Sequence, residues 1–455
     1  MKRRNFLKTT GLLTTASMLY QQAPTQAQPR LGKGEHVLIL GAGLAGLAAA
    51  YALFKQQVPF TILEARNRIG GRVFTHQVDE ESKLHVELGA EWIGASHERM
   101  LALCKEFNLP LLNHQFTTHL TLEGQHYKPK EWQYDTNWNT TYQTLLTNFK
   151  QISSRNSKVL DQIDWWKYLI NNGISERDIE IKELFDSTDF GESIRNVSAF
   201  ASLSEYAYSS PNNEMDFRIE GGNTRLVNAL SEKIGLEHIL LNKKATAINQ
   251  TGKQVQVLCE DGTKHTGSRL LCTIPAFALT KINWQPALPA EKLDALHQMQ
   301  YCRIIKSAVV FKERFWQDET FDMITDSTAH YFFHSSKNQP NTKGTLTSYA
   351  IGDKAYILSK MNQEQKIREI CAALKPAFGD VSQYAEKATS YYWGGDAFTK
   401  GAYAIYDTHQ WFSIREMMAK PFRNISFAGE HLAEWQGFME GAVQTGEEAV
   451  KKMLT

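Results

Sequence analysis

The chain has 455 residues, of which 42% are hydrophobic, so it is long enough for two domains and too apolar to be disordered throughout. Its formal net charge is +1 at pH 7 and its basic residues cluster only at the N-terminus, which argues against nucleic acid as a partner. The five cysteines show no CxxC spacing, so neither a disulfide framework nor a metal site is indicated, although one bridge would be compatible with the sequence.

The N-terminus resembles a bacterial export signal. Residues 2–8 read KRRNFLK, the twin-arginine pattern, and an apolar run over residues 10–20 leads to a cleavage point near Ala27. We therefore expect residues 1–30 to be a signal peptide and linker. The twin-arginine translocase would be a partner during export, and the mature protein would be periplasmic or secreted.

A strand, a glycine turn and a helix follow in the order that dinucleotide binding requires. Residues 36–40 form a short apolar run, and an Ala-rich helix is predicted over residues 44–57. Between them, Gly41 permits a tight turn, Gly43 lets the backbone approach a pyrophosphate, and Gly46 allows close packing of helix on strand. The helix N-terminus attracts the anion.

A second strand over residues 60–64 ends in an acid, Glu64, 18 residues after Gly46. This spacing places a carboxylate where it can accept hydrogen bonds from ribose hydroxyls, which favours an unphosphorylated ribose. A tight turn in an α/β domain without a ligand is the alternative, and the combined strand, helix and acid make it the weaker one.

The rest of the chain divides into a mainly helical part and a mainly strand-forming part. Residues 97–210 are predicted to be mostly helical, and residues 284–390 to alternate strands of an antiparallel sheet with one helix. The predicted helices are 98–106, 137–153, 161–169, 224–234 and 363–378; the predicted strands are 304–311, 345–350 and 390–393, with a hairpin of 254–259 and 264 onward around Asp261-Gly262.

Several sequence blocks resemble the flavin-containing amine oxidases. The first block, Glu64-Ala65-Arg66-x-Arg-x-Gly-Gly71-Arg72, continues the second strand, and the last begins at Phe427, almost 400 residues after Gly41. Between them lie Glu87-Leu-Gly89-Ala90-Glu91-Trp92, Glu220-Gly-Gly-Asn-Thr-Arg225, Cys272-Thr-Ile-Pro275, Lys306, Trp393 and Gly401-Ala-Tyr403; the last block runs through Gly429-Glu430 and Gly437-Phe438-Met439 to Ala442.

The resemblance implies a fold and a cofactor. We expect an α/β protein with a Rossmann-like FAD-binding domain built from residues 35–96, 215–284 and 391–455. A second α+β domain, with a mixed or antiparallel sheet plus helices, would bind substrate with residues 97–214 and 285–390. The expected FAD-binding residues are Gly41, Gly43, Leu44, Ala45, Gly46, Glu64, Ala65, Arg66, Gly71, Arg72, Gly89, Ala90, Glu91, Trp92, Ala245, Trp393, Gly429, Glu430, Gly437, Phe438, Met439 and Ala442.

Three side chains are expected to carry the chemistry. Period-2 alternation puts Lys306 on the same strand face as Ile304 and Ala308, where an ammonium group needs a partner or a lowered pKa. The resemblance assigns this position to the lysine that holds a water near the flavin; the alternative is an edge-strand lysine that reaches solvent. It also implies that Tyr403 and Phe438 form an aromatic cage in front of the flavin.

The resemblance further implies that FAD is non-covalent, because Ala402 stands where monoamine oxidases with covalent flavin carry cysteine. Glu430 would bind ribityl or phosphate-linked hydroxyls, and Ala245 would contact adenine through its backbone. The helix after Gly437 would direct its N-terminus at the pyrimidine edge of the flavin.

The expected reaction is oxidative deamination of an amine, with oxygen as acceptor and hydrogen peroxide as product. Trp92 stands where many L-amino acid oxidases carry a carboxylate-binding arginine, which favours a primary monoamine. L-Amino acid oxidation remains the main alternative, since Arg195, Arg218 or Arg303 could enter the pocket, and Glu91 keeps polyamines open. A flavin desaturase or a non-enzymatic flavoprotein is less favoured. No stable membrane anchor is expected, and a homodimer is one possible assembly.

Overall fold

A computed structural model describes residues 35–455, so the predicted signal peptide lies outside the described residues. The strands, in chain order, are β1 Val37–Leu40, β2 Phe60–Leu63, β3 Thr75–Gln77, β4 His85–Glu87, β5 Leu111–Asn113, β6 Thr117–Leu122, β7 Gln125–Tyr127, β8 Phe217–Ile219, β9 Ile239–Leu240, β10 Ala245–Thr251, β11 Gln254–Cys259, β12 Lys264–Gly267, β13 Arg269–Cys272, β14 Asn283–Gln285, β15 Gln300–Tyr301, β16 Ile304–Phe311, β17 Phe321–Thr325, β18 Tyr331–His334, β19 Gly344–Ile351, β20 Ala385–Tyr392, β21 Ala404–Ile405 and β22 Ile425–Phe427. The α-helices are α1 Leu44–Lys55, α2 Glu98–Glu106, α3 Trp138–Phe149, α4 Ser154–Leu160, α5 Trp165–Asn171, α6 Glu176–Phe190, α7 Ala199–Tyr206, α8 Thr224–Ile234, α9 Ala276–Leu279, α10 Ala290–Gln298, α11 Gly352–Ser359, α12 Gln363–Phe378, α13 Ile414–Ala419 and α14 Met439–Leu454.

A parallel five-stranded sheet carries the glycine turn. Its order is β22-β13-β1-β2-β9, with β1 at the centre, and every residue of β1 is buried, as expected for a strand covered on both faces. The C-terminal helix α14 packs on α1 so closely that a Cβ added to Gly446 would lie 2.2 Å from the Ala45 carbonyl oxygen. The first and last helices of the described residues therefore meet at one place.

A mixed seven-stranded sheet forms the second large layer. Its order is β20-β16-β19-β18-β17-β6-β7, and all neighbours are antiparallel except β17 and β6. Strand β16 lies between β19 and β20 and is buried along its whole length. The predicted fold class, a Rossmann-like sheet combined with a second α+β unit, is confirmed.

The prediction that residues 97–210 are mostly helical is wrong in one part. Strands β6 and β7 join the edge of the seven-stranded sheet, around a turn at Gly124. β6 contains three threonines, which suit a strand, and its partner β17 lies some 200 residues along the chain.

Two predicted helix boundaries also need correction. The helix predicted over 137–153 ends at Phe149, with the separate helix α4 beginning at Ser154, and the helix predicted over 161–169 is α5, which spans Trp165–Asn171. In both places a new helix begins at a capping side chain: Ser153 accepts a hydrogen bond from the Asn156 backbone N–H, and Asp164 accepts one from that of Lys167. The strand predicted at 390–393 is longer than expected, since β20 spans Ala385–Tyr392.

Three further observations concern the chain as a whole. All five cysteines are buried and unbridged. No helix within residues 35–455 combines the length and the hydropathy needed to cross a membrane. The division into two discontinuous domains stays a prediction, although the two large sheets correspond to its two parts.

Candidate functional site

A cavity of about 550 Å³ extends between the glycine turn and strand β16. It is lined by both ends of the chain and by the seven-stranded sheet. Every residue predicted for the cofactor or the chemistry lines it except Gly46. These are Gly41, Gly43, Leu44, Ala45, Glu64, Ala65, Arg66, Gly71, Arg72, Gly89, Ala90, Glu91, Trp92, Ala245, Lys306, Trp393, Tyr403, Gly429, Glu430, Gly437, Phe438, Met439 and Ala442.

The three turn glycines differ in what surrounds them. Gly41 has φ +100°, a conformation that favours glycine. A Cβ added to Gly46 would lie 2.0 Å from the Gly41 carbonyl oxygen, so Gly46 is the packing glycine beneath the turn. Gly43 is the opposite case, because no atom lies within 4 Å of its added Cβ and the residue lines the cavity. The turn therefore leaves room for a group above Gly43, as a pyrophosphate would require.

The acid at the end of β2 is held by backbone donors. The Ala42 N–H donates to Glu64 Oε2 at 2.7 Å, and the Arg66 N–H donates to Oε1 at 2.8 Å. Burial raises the pKa of Glu64 even though these donors act in the opposite direction. Each oxygen keeps lone-pair capacity for a hydroxyl donor from the cavity.

The C-terminal block is tied to the N-terminal one by an ion pair. Arg72 Nη1 donates to Glu430 Oε1 at 2.6 Å, and the Gly437 N–H donates to Oε2 at 2.9 Å. Burial alone would raise the pKa of Glu430, but Arg72 and the other donors hold it below its usual range. The predicted cofactor residues of the two distant blocks are thus in direct contact.

Lys306 is a buried lysine with a carboxylate partner. Its Nζ lies 2.8 Å from Glu91 Oε2, and the whole residue is 3% exposed. Because β16 has a neighbour on each side, the alternative of an edge-strand lysine reaching solvent is excluded. Glu91 is therefore the partner that a buried ammonium group at this position requires.

The two predicted cage residues, Tyr403 and Phe438, both lie in the C-terminal part of the chain and line the cavity. The Tyr403 hydroxyl donates to the backbone carbonyl oxygens of Thr188 and Asp189, and it lies 3.3 Å from the Tyr349 hydroxyl. A Cβ added to Gly437 would lie 3.0 Å from the Tyr403 ring. Phe438, the next residue, packs edge-on against His97 with ring centroids 5.0 Å apart.

Besides Glu64, Glu91 and Glu430, three further residues with carboxyl groups line the cavity, and no sequence pattern predicts them. They belong to Asp189, Glu205 and Glu214. Burial and the neighbouring Asp186 raise the pKa of Asp189 to about 7. Asp189 lies on α6, a helix whose buried residues include charged ones, so no apolar stripe marks it in the sequence.

None of the arginines considered for substrate carboxylate binding lines this cavity. Arg195 lies over the Trp166 ring at 3.6 Å, and Arg303 pairs with Asp353 at 2.7 Å. Arg218 is buried and faces Glu91 at 3.4 Å. The arginines that do line the cavity are both paired, Arg66 with Asp396 and Arg72 with Glu430.

The site defines a class of protein before any comparison is made. A cavity that opens above a glycine turn, with an acid at the end of the second strand, fits a dinucleotide cofactor. Its far end carries a buried lysine and two aromatic side chains. This combination is that of a nucleotide-cofactor oxidoreductase with a separate substrate region.

Comparison with known proteins gives the family. The model of the flavin containing amine oxidoreductases matches residues 44–454, and the chain belongs to this family. It is 25% identical over 454 residues to amine oxidase [flavin-containing] A of Canis lupus familiaris, covering 92% of this chain and 84% of that protein. It is 24% identical over 456 residues to amine oxidase [flavin-containing] B of Homo sapiens, covering 92% and 86%.

Solved structures share the fold. A putrescine oxidase with bound putrescine superposes with a TM-score of 0.81 at 21% identity, covering 92% of this chain and 99% of that one. Cyclohexylamine oxidase from Brevibacterium oxydans IH-35A gives a TM-score of 0.81 at 20% identity, covering 94% and 99%. The family match makes the chain a flavin-containing amine oxidoreductase with FAD as its cofactor.

Proposed function

We propose that this protein oxidises a carboxylate-free primary amine to the imine, which water converts to the aldehyde and ammonia, and passes the two electrons to oxygen to give hydrogen peroxide. The observation that carries the proposal is the single cavity that joins the dinucleotide turn to Lys306, Tyr403 and Phe438. When bound, FAD supplies the redox chemistry by accepting a hydride equivalent from the carbon that bears the amine.

The residues of this chain hold the cofactor and orient the amine. Glu64 would accept from the ribose hydroxyls of FAD, and Glu430, fixed by Arg72, would face the groups that link ribityl and phosphate. Tyr403 and Phe438 would bound the path of the amine nitrogen, whose approach an aromatic face favours. Lys306 would hold a water at the reacting end.

The charges that line the cavity support an amine over an amino acid. Both arginines there are already paired, so neither offers a free guanidinium to a substrate carboxylate. Trp92, which also lines the cavity, offers no charge to a carboxylate.

A diamine is the second candidate, and one oxygen atom favours it. Asp189 Oδ2 accepts hydrogen bonds from Tyr206 at 2.9 Å and from the Asn213 amide at 2.7 Å. No side chain within residues 35–455 donates to Asp189 Oδ1, and the residue lines the cavity. The ammonium group at the far end of a diamine would satisfy this oxygen. The putrescine bound in one structural relative belongs to the same chemical class.

A matched pair of substrates separates the two candidates. n-Butylamine and putrescine have the same carbon chain and differ only in the second amine. Peroxide release is measured with both substrates, and a lower KM for putrescine than for n-butylamine would support the diamine. In Asp189→Asn, the KM for putrescine should then rise at least about tenfold, while the KM for n-butylamine should change less than about twofold. Equal KM values for the two substrates would support the monoamine, and oxidation of L-amino acids alone would refute both.

We also propose non-covalent FAD and export. Ala402 lines the cavity and has no thiol to form a flavin bond.

The KRRNFLK pattern supports the proposed twin-arginine export to the periplasm or beyond. Cell fractionation tests it: the wild type should be in the exported fraction, and Arg3→Lys with Arg4→Lys should retain the protein inside the cell. Export of the double variant through the same route would contradict the proposal.

A further inference from the structure

The Lys306 ammonium uses one of its three N–H bonds within the protein. That bond is directed at Glu91 Oε2, 2.8 Å away. Among residues 35–455 no second acceptor lies within hydrogen-bond distance of Nζ. The rings of Trp92, Phe333 and Tyr349 lie 5.5 to 5.8 Å from it. Because Lys306 lines the cavity, the remaining N–H bonds are available to what the cavity contains.

The other oxygen of Glu91 is held by a separate pair of donors. His114 Nε2 lies 3.0 Å from Oε1, and Arg218 Nη1 lies 3.4 Å from it. Arg218 is fixed in turn because it donates to the Ser335 carbonyl oxygen at 2.9 Å. Each oxygen of Glu91 therefore has its own partners, and Oε2 is left to Lys306.

The protonation states follow from the surroundings of these groups. Burial alone would raise the pKa of Glu91, but Lys306, His114 and Arg218 hold it well below its usual range, so Glu91 is a carboxylate. Burial lowers the pKa of His114 to about 4, so at neutral pH the imidazole is uncharged and donates a hydrogen bond from Nε2. The other titratable groups that face Glu91 are Glu87, His85 and Tyr331.

We propose that Glu91 is the positioning residue of Lys306: it fixes the terminal amine of the lysine at the cavity wall, directed into the cavity, and is itself fixed by His114 and Arg218. The sequence places Glu91 among the cofactor-binding residues, whereas the contacts give it a role toward the lysine. The inference rests on the proposed function in one respect, namely that Lys306 acts on the contents of this cavity.

Removing the carboxylate leaves a buried ammonium group without its partner. A buried cation in this condition releases its proton more readily than one that is paired. In Glu91→Gln we therefore expect the lysine to lose its charge within the working pH range. Bound flavin reports such a change, because its absorbance responds to charge nearby, and this readout requires no turnover.

The test is a pH titration of the visible absorbance of the FAD-loaded protein without amine, over roughly pH 6 to 9. Four proteins are compared: wild type, Glu91→Gln, Lys306→Met, and the double variant. We expect Glu91→Gln to show one additional transition that the wild type and the double variant lack. The same transition in the double variant would overturn the proposal, since no lysine is then present to produce it; a titration of Glu91→Gln that matches the wild type would overturn it as well.

Kinetics give an independent comparison. The rate constant of flavin bleaching by an amine without oxygen should fall at least about tenfold in Glu91→Gln, and adding Glu91→Gln to Lys306→Met should lower it less than about twofold further. Effects that multiply in the double variant would mean that Glu91 acts on the cavity by another route. If no amine bleaches the flavin of the wild type, the proposed function fails while the absorbance titration still decides the role of Glu91.

A matched control separates positioning from general disruption. Glu87 is as buried as Glu91 and accepts from Thr75 and from the Asn223 N–H, but it does not contact Lys306. Burial raises the pKa of Glu87 to about 7, so glutamine resembles its protonated form. Glu87→Gln should add no transition to the absorbance titration, because the pairing of Lys306 with Glu91 is kept, and an additional transition in this variant would overturn the proposal.

The double variant also covers a failure to fold. If Glu91→Gln alone does not retain FAD and the double variant does, the unpaired ammonium is the cause, as proposed. If neither retains FAD, Glu91 is required for the fold independently of Lys306, and the proposal is wrong.

Discussion

The glycine turn gives a pair of substitutions with opposite expected effects. Gly46→Ala places a methyl group 2.0 Å from the Gly41 carbonyl oxygen, well inside any contact that two such atoms can make. Gly43→Ala places the same methyl group where no atom lies within 4 Å, on backbone with φ −77° that alanine adopts without strain. One change disturbs the fold, and the other only intrudes on the cavity.

The magnitudes follow from these environments. Alanine in a helix gains about 1 kcal/mol over glycine, whereas overpacking costs about 1 to 3 kcal/mol and more where backbone must move. Because the clash in Gly46→Ala is with backbone, we expect a net loss of at least about 2 kcal/mol of stability. For Gly43→Ala we expect a change within about 0.5 kcal/mol for the cofactor-free protein and a loss of FAD affinity of at least about tenfold.

Two measurements on each variant test this. Thermal unfolding of the cofactor-free protein reports stability, and a fluorescence titration with FAD reports affinity. We expect Gly46→Ala to lower the Tm, and Gly43→Ala to lower the affinity for FAD at an unchanged Tm. A Gly43→Ala protein that binds FAD as tightly as the wild type would refute the assignment of this turn to the cofactor.

Three further predictions concern the lysine, the cavity carboxyl and the flavin linkage. Lys306→Met should lower amine turnover at least about a hundredfold with FAD retained, checked by peroxide release and by the flavin-to-protein absorbance ratio; near-normal turnover would remove the lysine from the reaction. Asp189→Asn should stabilise the protein at pH 8 by on the order of 2 kcal/mol and have little effect near pH 4. The reason is that folding raises the pKa of this carboxyl from 3.8 to about 7, so ionising it as the pH rises through that range costs the folded state stability. A Tm difference from wild type that is the same at both pH values would contradict this. Acid precipitation should release the yellow colour into the supernatant, since Ala402 lacks a thiol; colour that stays with the pellet would show a covalent bond.

Local patterns in the sequence predicted the cofactor part well. The glycine turn, Glu64 and the first two strands lie within about 30 residues, and their spacing reflects backbone geometry that varies little. The long strand β16 and helix α12 were also recognisable, because each carries a continuous periodic pattern.

The features that the sequence did not reveal depend on contacts between distant segments. Glu91 and Lys306 are 215 residues apart, and the pairing of Lys306 with Tyr349 follows from the register of two strands. Strands β6 and β7 are short and form at a sheet edge, where tertiary pairing decides more than propensity. Asp189 faces the cavity only because α6 packs beside it.

The most direct test of the account is anaerobic bleaching of the flavin in the purified holoenzyme by a panel of monoamines, diamines and L-amino acids, followed by peroxide measurement on admitting oxygen. We expect bleaching by carboxylate-free amines and one peroxide for each amine oxidised. Bleaching by L-amino acids alone, or by none of the panel, would contradict it.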